Sequence, residues 1–171
     1  MKSKIIAIVG ASGSGKTTLV NHIQMVLGIP ALISYTTRPM RPGETDGVEH
    51  WFVTEDRMPD KSKMLAYTKF GNFHYWTEFS QLREGICMYV VDEKGLIALQ
   101  ELNNKSDRFE LISVLIKRDE GFIKENVDES RMQRDNDRIS LPYECYHTIL
   151  ENNGTLEDFL NTSVQIFQTL I

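Results

Sequence analysis

The feature that most constrains the fold is a glycine-rich segment between a buried strand and a helix. Residues 5–9 form a continuous apolar run without alternation, which is typical of a strand covered on both faces in a parallel sheet. Residues 10–15 interrupt this run, and residues 16–27 carry apolar side chains at helical spacing before Gly28 and Pro30 end the helix. This order favours an α/β fold with a central parallel sheet flanked by helices.

The loop itself has the spacing of a phosphate-binding motif. Gly10, Gly15, Lys16 and Thr17 occupy the fixed positions of the Walker A pattern G-x-x-x-x-G-K-[ST]. Glycines allow the backbone N–H groups to turn inward around phosphate oxygens, and the helix adds its positive N-terminal end. Lys16 is expected to reach the β- and γ-phosphates, and Thr17 to ligate Mg²⁺. The predicted ATP-binding residues of the loop are Gly10, Ala11, Ser12, Gly13, Ser14, Gly15, Lys16, Thr17 and Thr18.

Beyond the first helix, the pattern predicts a small β-rich insertion within the α/β order. A short strand is expected at residues 31–35, and the proline-bearing stretch 38–43 cannot hold regular structure. The insertion is predicted to contain short strands at residues 50–53, 64–70 and 73–78. The α/β pattern then resumes, with elements at residues 86–91, 93–104, 109–116 and 148–150 and a last helix capped by Thr155.

These elements predict one domain over residues 1–171. Its parts are a core at residues 1–33, 80–117 and 139–171, an insertion at about 34–79 and a short lid at about 118–138. Three arginines in the predicted lid recur at spacings that put them on one side of a helix, and they are the catalytic candidates beside Lys16: Arg131, Arg134 and Arg138. Because Asp135 and Asp137 are interleaved, a solvated salt-bridged helix is the alternative.

Composition narrows the possible partners. The net charge of −5 and pI of about 5.4 argue against binding to long nucleic acid, which needs a basic stripe, but allow a small anionic ligand. The two cysteines, Cys87 and Cys145, make a disulfide framework unexpected and favour the reducing cytoplasm. No stretch is long and apolar enough to span a bilayer. The sequence leaves the oligomeric state open.

Asp92 closes the apolar stretch 88–91, as the carboxylate of a Walker B strand does. In that position it could hold Mg²⁺ directly or through water. The alternative is a helix N-cap, because a helix is predicted from Glu93 onwards.

A long segment decides what the second substrate is. Residues 34–50, S-Y-T-T-R-P-M-R-P-G-E-T-D-G-V-E-H, closely resemble the GMP-binding segment of guanylate kinases. The resemblance covers most of the chain and implies a P-loop kinase that uses ATP and Mg²⁺ to phosphorylate a nucleoside monophosphate, with GMP the leading candidate. It implies that Arg38 and Arg41 clamp the acceptor phosphate and that Ser34 hydrogen-bonds the purine. Two guanidinium forks independently suit a phosphate dianion.

Further positions carry the resemblance. It implies that Tyr75 binds phosphate, that Thr77 lies near the base and that Asp92 approaches the guanine, a role that competes with magnesium binding. The stretch that begins at Asn152 looks like one that P-loop kinases place beside the adenine of ATP. A turn that caps the last helix is an alternative for this stretch.

Two departures put base specificity in question. His50 stands where the family has a phosphate-binding tyrosine, and Ala66 where it has a guanine-reading glutamate. Three other functions therefore stay open: a P-loop kinase for another nucleotide or a sugar phosphate, a non-catalytic guanylate-kinase-like module that binds phosphopeptides, and a regulatory NTPase.

Overall fold

The computed structural model describes residues 2–119, 121 and 138–171. The helices are α1 (Lys16–Leu27), α2 (Glu93–Ser106) and α3 (Leu156–Leu170). In chain order the strands are β1 (Ser3–Gly10), β2 (Ala31–Leu32), β3 (Tyr35–Thr36), β4 (Trp51–Phe52), β5 (Met64–Phe70), β6 (Phe73–Glu78), β7 (Ile86–Val90), β8 (Phe109–Lys117) and β9 (Thr148–Glu151). Short 3₁₀ turns lie at Glu55–Arg57, Lys61–Lys63, Phe79–Gln81 and Tyr143–Cys145.

A five-stranded parallel sheet forms the centre, in the order β2-β7-β1-β8-β9. In the middle strand, Ile6 lies opposite Met88 on one side and Ile112 on the other. Residues 5–9 have no exposed surface, which confirms the predicted strand covered on both faces. The predicted α/β fold is therefore confirmed.

Helices cover both faces of this sheet. Ile6 and Ile8 of β1 belong to a core cluster with Ile23 of α1 and Phe159 and Phe167 of α3. The residues between them on β1 point to the opposite face, where α2 and the first residues of β5 complete a second cluster, with Ile5, Ala7, Val9, Leu65, Leu96 and Leu99 among its members. The carboxyl end of β1 thus emerges between two packed layers, directly before the glycine loop.

A second, four-stranded sheet in the order β4-β3-β6-β5 holds the short strands expected in the insertion. The prediction of one strand at residues 31–35 is wrong, because β2 pairs with β7 whereas β3 pairs with β4 and β6. Between them, the Gln81 amide donates to the Ile33 carbonyl, and the Trp51 N–H donates to the Ser34 carbonyl. These bonds draw the chain out of the main sheet at the position where the second sheet begins.

The ends of the helices follow local chemistry. Thr155 caps α3 by accepting a hydrogen bond from the Asp158 N–H, as predicted. The helix α2 runs two residues further than predicted and ends where Asp107 adopts a left-handed conformation, φ 45°. The predicted lid helix lies outside the described residues except for Arg138, which is not part of a helix. No helix in the described part of the chain has the length and apolar character needed to cross a membrane.

Candidate active site

The glycine loop lies between the carboxyl end of β1 and the first turn of α1. Gly13 and Gly15 adopt positive φ angles of 74° and 106°, a region that side chains rarely adopt. A Cβ added at Gly15 would lie 2.6 Å from the Asn152 amide nitrogen, and one at Gly10 would lie 2.8 Å from the Ile116 carbonyl oxygen. Both backbone conformation and crowding therefore require glycine in this loop.

Residues that follow strands β8 and β9 hold the glycine loop in place. The Asn152 side chain, only 7% exposed, donates to the Ser14 carbonyl at 2.7 Å. Arg118, directly after β8, donates to the Gly13 carbonyl at 3.3 Å. Asn152 thus holds the loop in shape, a structural part that the sequence did not indicate. Its contact with adenine stays a prediction.

Lys16 reaches back over the loop that precedes it. Its Nζ donates to the carbonyl oxygens of Gly10 and Ala11, each at 2.7 Å, so the ammonium group lies at the mouth of the loop. Thr17 and Thr18 are exposed in the first turn of α1. This first turn therefore presents a cation and two hydroxyl-bearing residues at its positive end.

A cavity of about 300 Å³ joins the loop to the second sheet. Gly10, Ser12 and Lys16 line it from the loop, and Arg138 lines it from the segment before β9. Four of the residues that the sequence assigned to the acceptor also line it, namely Ser34, His50, Tyr75 and Asp92, together with Ala66, whereas Arg38, Arg41 and Thr77 do not. Part of the predicted donor site and part of the predicted acceptor site thus share one space.

Ser34 and His50 form a pair in this cavity. The Ser34 hydroxyl lies 2.8 Å from His50 Nδ1. The His50 ring packs edge-on against Tyr75, with 5.6 Å between ring centroids, and against Phe52 at 5.9 Å. The imidazole that replaces the expected tyrosine is therefore held by one hydrogen bond and two aromatic rings.

Arg38 is held differently from the prediction of a phosphate clamp. It is 7% exposed and makes a bidentate ion pair with Glu44, at 2.7 and 2.8 Å. The same carboxylate accepts from the Arg41 N–H at 2.8 Å, and neither arginine lines the cavity. Burial opposes the charge, but hydrogen bonds and charge from Glu44 and Tyr75 outweigh it and raise the pKa of Arg38. The arginine segment is therefore shaped around Glu44.

This ion pair makes folding sensitive to acid. The Arg38 hydrogen bonds, against the effect of burial, lower the pKa of Glu44 from 4.5 to about 2. We expect the stabilisation to be complete above about pH 4.5 and to be lost as the pH falls through about 2. At neutral pH the free energy of unfolding of the wild-type protein, measured in urea, should therefore exceed that of the Glu44→Gln variant. This difference should shrink between pH 4.5 and 2.

Glu101→Gln is the matched control, since the ion-pair partner of Glu101 is the exposed Lys105, one turn away on α2. Its effect on the free energy of unfolding should be small at every pH. A Glu44→Gln effect that did not change between neutral pH and pH 2 would contradict the assignment.

Asp92 satisfies the helix-cap alternative. One oxygen of its carboxylate accepts from the Gly95 N–H at 2.7 Å, which caps α2. The residue is nevertheless exposed and lines the cavity, so the cap leaves its second oxygen for other contacts. Among the described residues, no cluster of three or more His, Cys, Asp or Glu side chains could hold a metal ion by itself. The magnesium and base roles of Asp92 stay predictions.

Two buried polar pairs beside the cavity were missed in the sequence. Glu93, 2% exposed, accepts two hydrogen bonds from Arg138, one of them at 2.7 Å to Nε. The second pair joins the sheets, because the Thr77 hydroxyl donates to the Tyr89 hydroxyl at 2.9 Å and both residues are buried. Thr77 therefore contacts Tyr89 and does not itself line the cavity. Arg131 and Arg134 lie outside the described residues.

A Walker A loop that follows the central strand of a parallel sheet, with helices on both faces, defines a P-loop protein. Residues 2–169 match the sequence model of the family described as guanylate kinase. The chain therefore belongs to the guanylate kinase family.

Individual relatives agree with this membership. The chain is 38% identical over 81 residues to the guanylate kinase of Legionella pneumophila (strain Lens), across 45% of this chain and 39% of that protein. It is 33% identical over 125 residues to the guanylate kinase of Blochmanniella floridana, across 66% of this chain and 58% of that protein. The chain thus spans only about half the length of these curated relatives.

A solved structure supports the fold. The crystal structure of guanylate kinase from Anaplasma phagocytophilum matches with a TM-score of 0.66 and 17% identity. The match covers 99% of this chain and 85% of that chain. At this identity the likeness shows a shared fold alone.

Proposed function

We propose that this protein transfers the γ-phosphate of ATP to a nucleoside monophosphate and converts GMP to GDP. One observation carries the proposal. A single cavity is lined by Lys16 and the phosphate loop and also by Ser34, His50 and Tyr75 of the insertion at about 34–79. Phosphoryl transfer needs its two substrates side by side, since catalysis rests mainly on positioning and charge. Membership of the guanylate kinase family favours this function.

The loop and Lys16 are proposed to act on the donor. Backbone N–H groups of residues 10–17 would bind the phosphate oxygens of ATP, and Lys16 would neutralise charge that develops on the migrating group. Thr17, on the exposed first turn of α1, fits a hydroxyl ligand of Mg²⁺. Asp92 has two competing roles, because the oxygen that the helix cap leaves would either hold the ion, directly or through water, or accept from the base. When bound, the ion would neutralise charge on the phosphates.

The acceptor segment is proposed to bind the monophosphate. His50 and Tyr75 face the cavity and would donate to the acceptor phosphate, while Ser34 would contact the purine. Arg38 and Arg41 would supply positive charge from the Glu44-centred turn beside it. Arg138 lines the same cavity and is proposed to act on the migrating group with the predicted lid arginines, Arg131 and Arg134.

The division into a core, an acceptor-binding insertion at about 34–79 and a lid at about 118–138 is part of the proposal. We also propose that the partners are small nucleotides and include neither long nucleic acid nor membranes. The proposed location is the cytoplasm. Cys87 is buried in the core and burial raises the pKa of its thiol to about 11, so this thiol is unreactive.

A coupled assay of ADP release tests the function. ATP and Mg²⁺ are supplied with GMP, dGMP, IMP, AMP, a pyrimidine monophosphate or a sugar phosphate in turn, or with no acceptor. We expect the highest kcat/KM with GMP or dGMP. Equal ADP release without an acceptor would indicate an NTPase, and no release with any acceptor would favour the non-catalytic module. A preference for the sugar phosphate would move the acceptor outside nucleotides.

Replacing Arg38 or Arg41 by Lys tests the acceptor clamp. Lysine keeps the charge but loses the planar fork, with which Arg38 holds Glu44. The turn that presents both arginines should therefore loosen, so that the KM for GMP rises about tenfold while the KM for ATP changes little. Steady-state kinetics with each substrate varied in turn measures both constants. Arg57→Lys is the matched control, at an exposed position of the 3₁₀ turn Glu55–Arg57. It should change neither KM. A larger rise in the KM for ATP would assign these arginines to the donor.

A further inference from the structure

Tyr89 lines the cavity from the main sheet and carries a hydroxyl group. It lies on β7, is 5% exposed and lines the same cavity as Ala66 and Asp92. Its oxygen accepts the hydrogen bond from Thr77 of β6, so the side chain connects the main sheet to the second sheet. In the described part of the chain, this is the hydrogen bond that the Tyr89 hydroxyl makes.

The phenol is neutral and keeps a proton to donate. Burial, helped by the nearby Asp92 charge and opposed by the Thr77 hydrogen bond, raises the pKa of Tyr89 to about 12. At neutral pH the group is therefore protonated. Because Thr77 already donates to the phenol oxygen, the phenol proton is left for an acceptor on a bound molecule.

The neighbouring groups limit what this wall can recognise. Ala66, paired with Thr77 across β5 and β6, contributes only a methyl group at the position of the family's glutamate. Asp92 already uses one carboxylate oxygen on the Gly95 N–H. Asp92 and Tyr89 together therefore offer one carboxylate oxygen that accepts and one neutral phenol that donates.

We propose that Tyr89 determines base specificity by donating to the 6-oxo oxygen of a 6-oxopurine, while Asp92 accepts from the adjacent N1–H. This inference rests on the proposed function. The 2-amino group of guanine then has no charged partner among Ala66, Tyr89 and Asp92, so GMP and IMP belong to one substrate class. Since loss of a charged hydrogen bond usually changes selectivity ten- to a hundred-fold, the preference for GMP over IMP stays below about tenfold.

The test measures binding and turnover separately. Dissociation constants for GMP, IMP and AMP are measured by calorimetry without ATP, and kcat/KM is measured with ATP, for wild type and Tyr89→Phe. Tyr89→Phe should weaken GMP and IMP binding equally, by about tenfold, and should affect AMP less. The matched control is Tyr35→Phe, which removes a hydroxyl from a tyrosine that stacks on Trp76 and does not line the cavity. It should leave all three affinities unchanged.

A second pair of variants acts through the partner of Tyr89. Thr77→Ser keeps the hydroxyl that donates to Tyr89, and Thr77→Val removes it at similar volume. We expect Thr77→Val to weaken GMP and IMP alike and Thr77→Ser to keep wild-type affinity. If Tyr89→Phe does not fold, these two variants test whether Tyr89 determines base specificity.

The outcomes separate this inference from the proposed function. Unchanged GMP and IMP affinities in both Tyr89→Phe and Thr77→Val would overturn the inference, as would a wild-type preference for GMP over IMP of a hundredfold or more. Binding of the monophosphates without ADP release would overturn the proposed kinase function alone, because the affinity ratios still test Tyr89.

Discussion

Lys16→Ala should lower kcat for GMP phosphorylation by at least about a hundredfold, the usual effect of removing one charge stabiliser from a transition state. The ammonium group lies at the mouth of the loop, 2.7 Å from the Gly10 and Ala11 carbonyl oxygens. Its removal takes the cation of the loop away from the migrating phosphate. Steady-state and single-turnover ADP release measure the loss.

Lys105→Ala is the matched control for Lys16→Ala. Lys105 is exposed on α2 and pairs with Glu101 at the long distance of 3.9 Å, so its loss should leave kcat unchanged. Comparable thermal unfolding of both variants and the wild type would assign the Lys16 effect to chemistry. A Lys16→Ala enzyme with near-normal kcat would rule out the proposed phosphoryl transfer at this loop.

Gly15→Ala should destabilise the fold by about 2–5 kcal/mol, through two separate costs. The positive φ of 106° strains any side chain, and the new Cβ would lie 2.6 Å from the Asn152 amide that braces Ser14. Either the loop or the Asn152 side chain that braces it must shift to relieve the overlap, so the KM for ATP should rise as well. Urea unfolding and ATP kinetics measure the two effects.

Gly28→Ala separates conformational strain from crowding. Gly28 ends α1 with a φ of 69° and has nothing within 4 Å of an added Cβ. This variant should therefore cost only about 1–2 kcal/mol and leave the KM for ATP unchanged. Equal destabilisation by the two substitutions would show that contact with Asn152 contributes nothing.

Local patterns predicted the elements that local chemistry specifies. The helix α1 begins and ends at the predicted residues because Gly15 and Gly28 punctuate an apolar periodicity. The unbroken apolar run of β1 is buried as predicted, since a strand in the middle of a parallel sheet has no solvent face. The point after β2 where the chain leaves the main sheet was not predicted. The hydrogen bonds to the Ile33 and Ser34 carbonyls come from Gln81 and Trp51, which are distant in the sequence.

The site was predictable where a motif fixes spacing and unpredictable where packing chooses partners. The sequence placed Lys16, Ser34, His50, Tyr75 and Asp92 in one site, and all five line one cavity. It carried no signal that Glu93 would bind Arg138 or that Thr77 would bind Tyr89, because each pair forms between separate elements only when the sheets and helices pack. Glu44 offered a weak signal, since it lies on the same proline-bearing turn as Arg38.

The position of β1 in the middle of the sheet determines how the chain can fold. Ile6 meets its partners Met88 and Ile112 only after most of the chain has been made, so this strand must wait while later ones emerge from the ribosome. Closing such long loops costs entropy before any contact forms, and parallel pairing of this kind folds slowly. During synthesis, the apolar segment 5–9 is therefore exposed to aggregation, and binding to a chaperone would protect it.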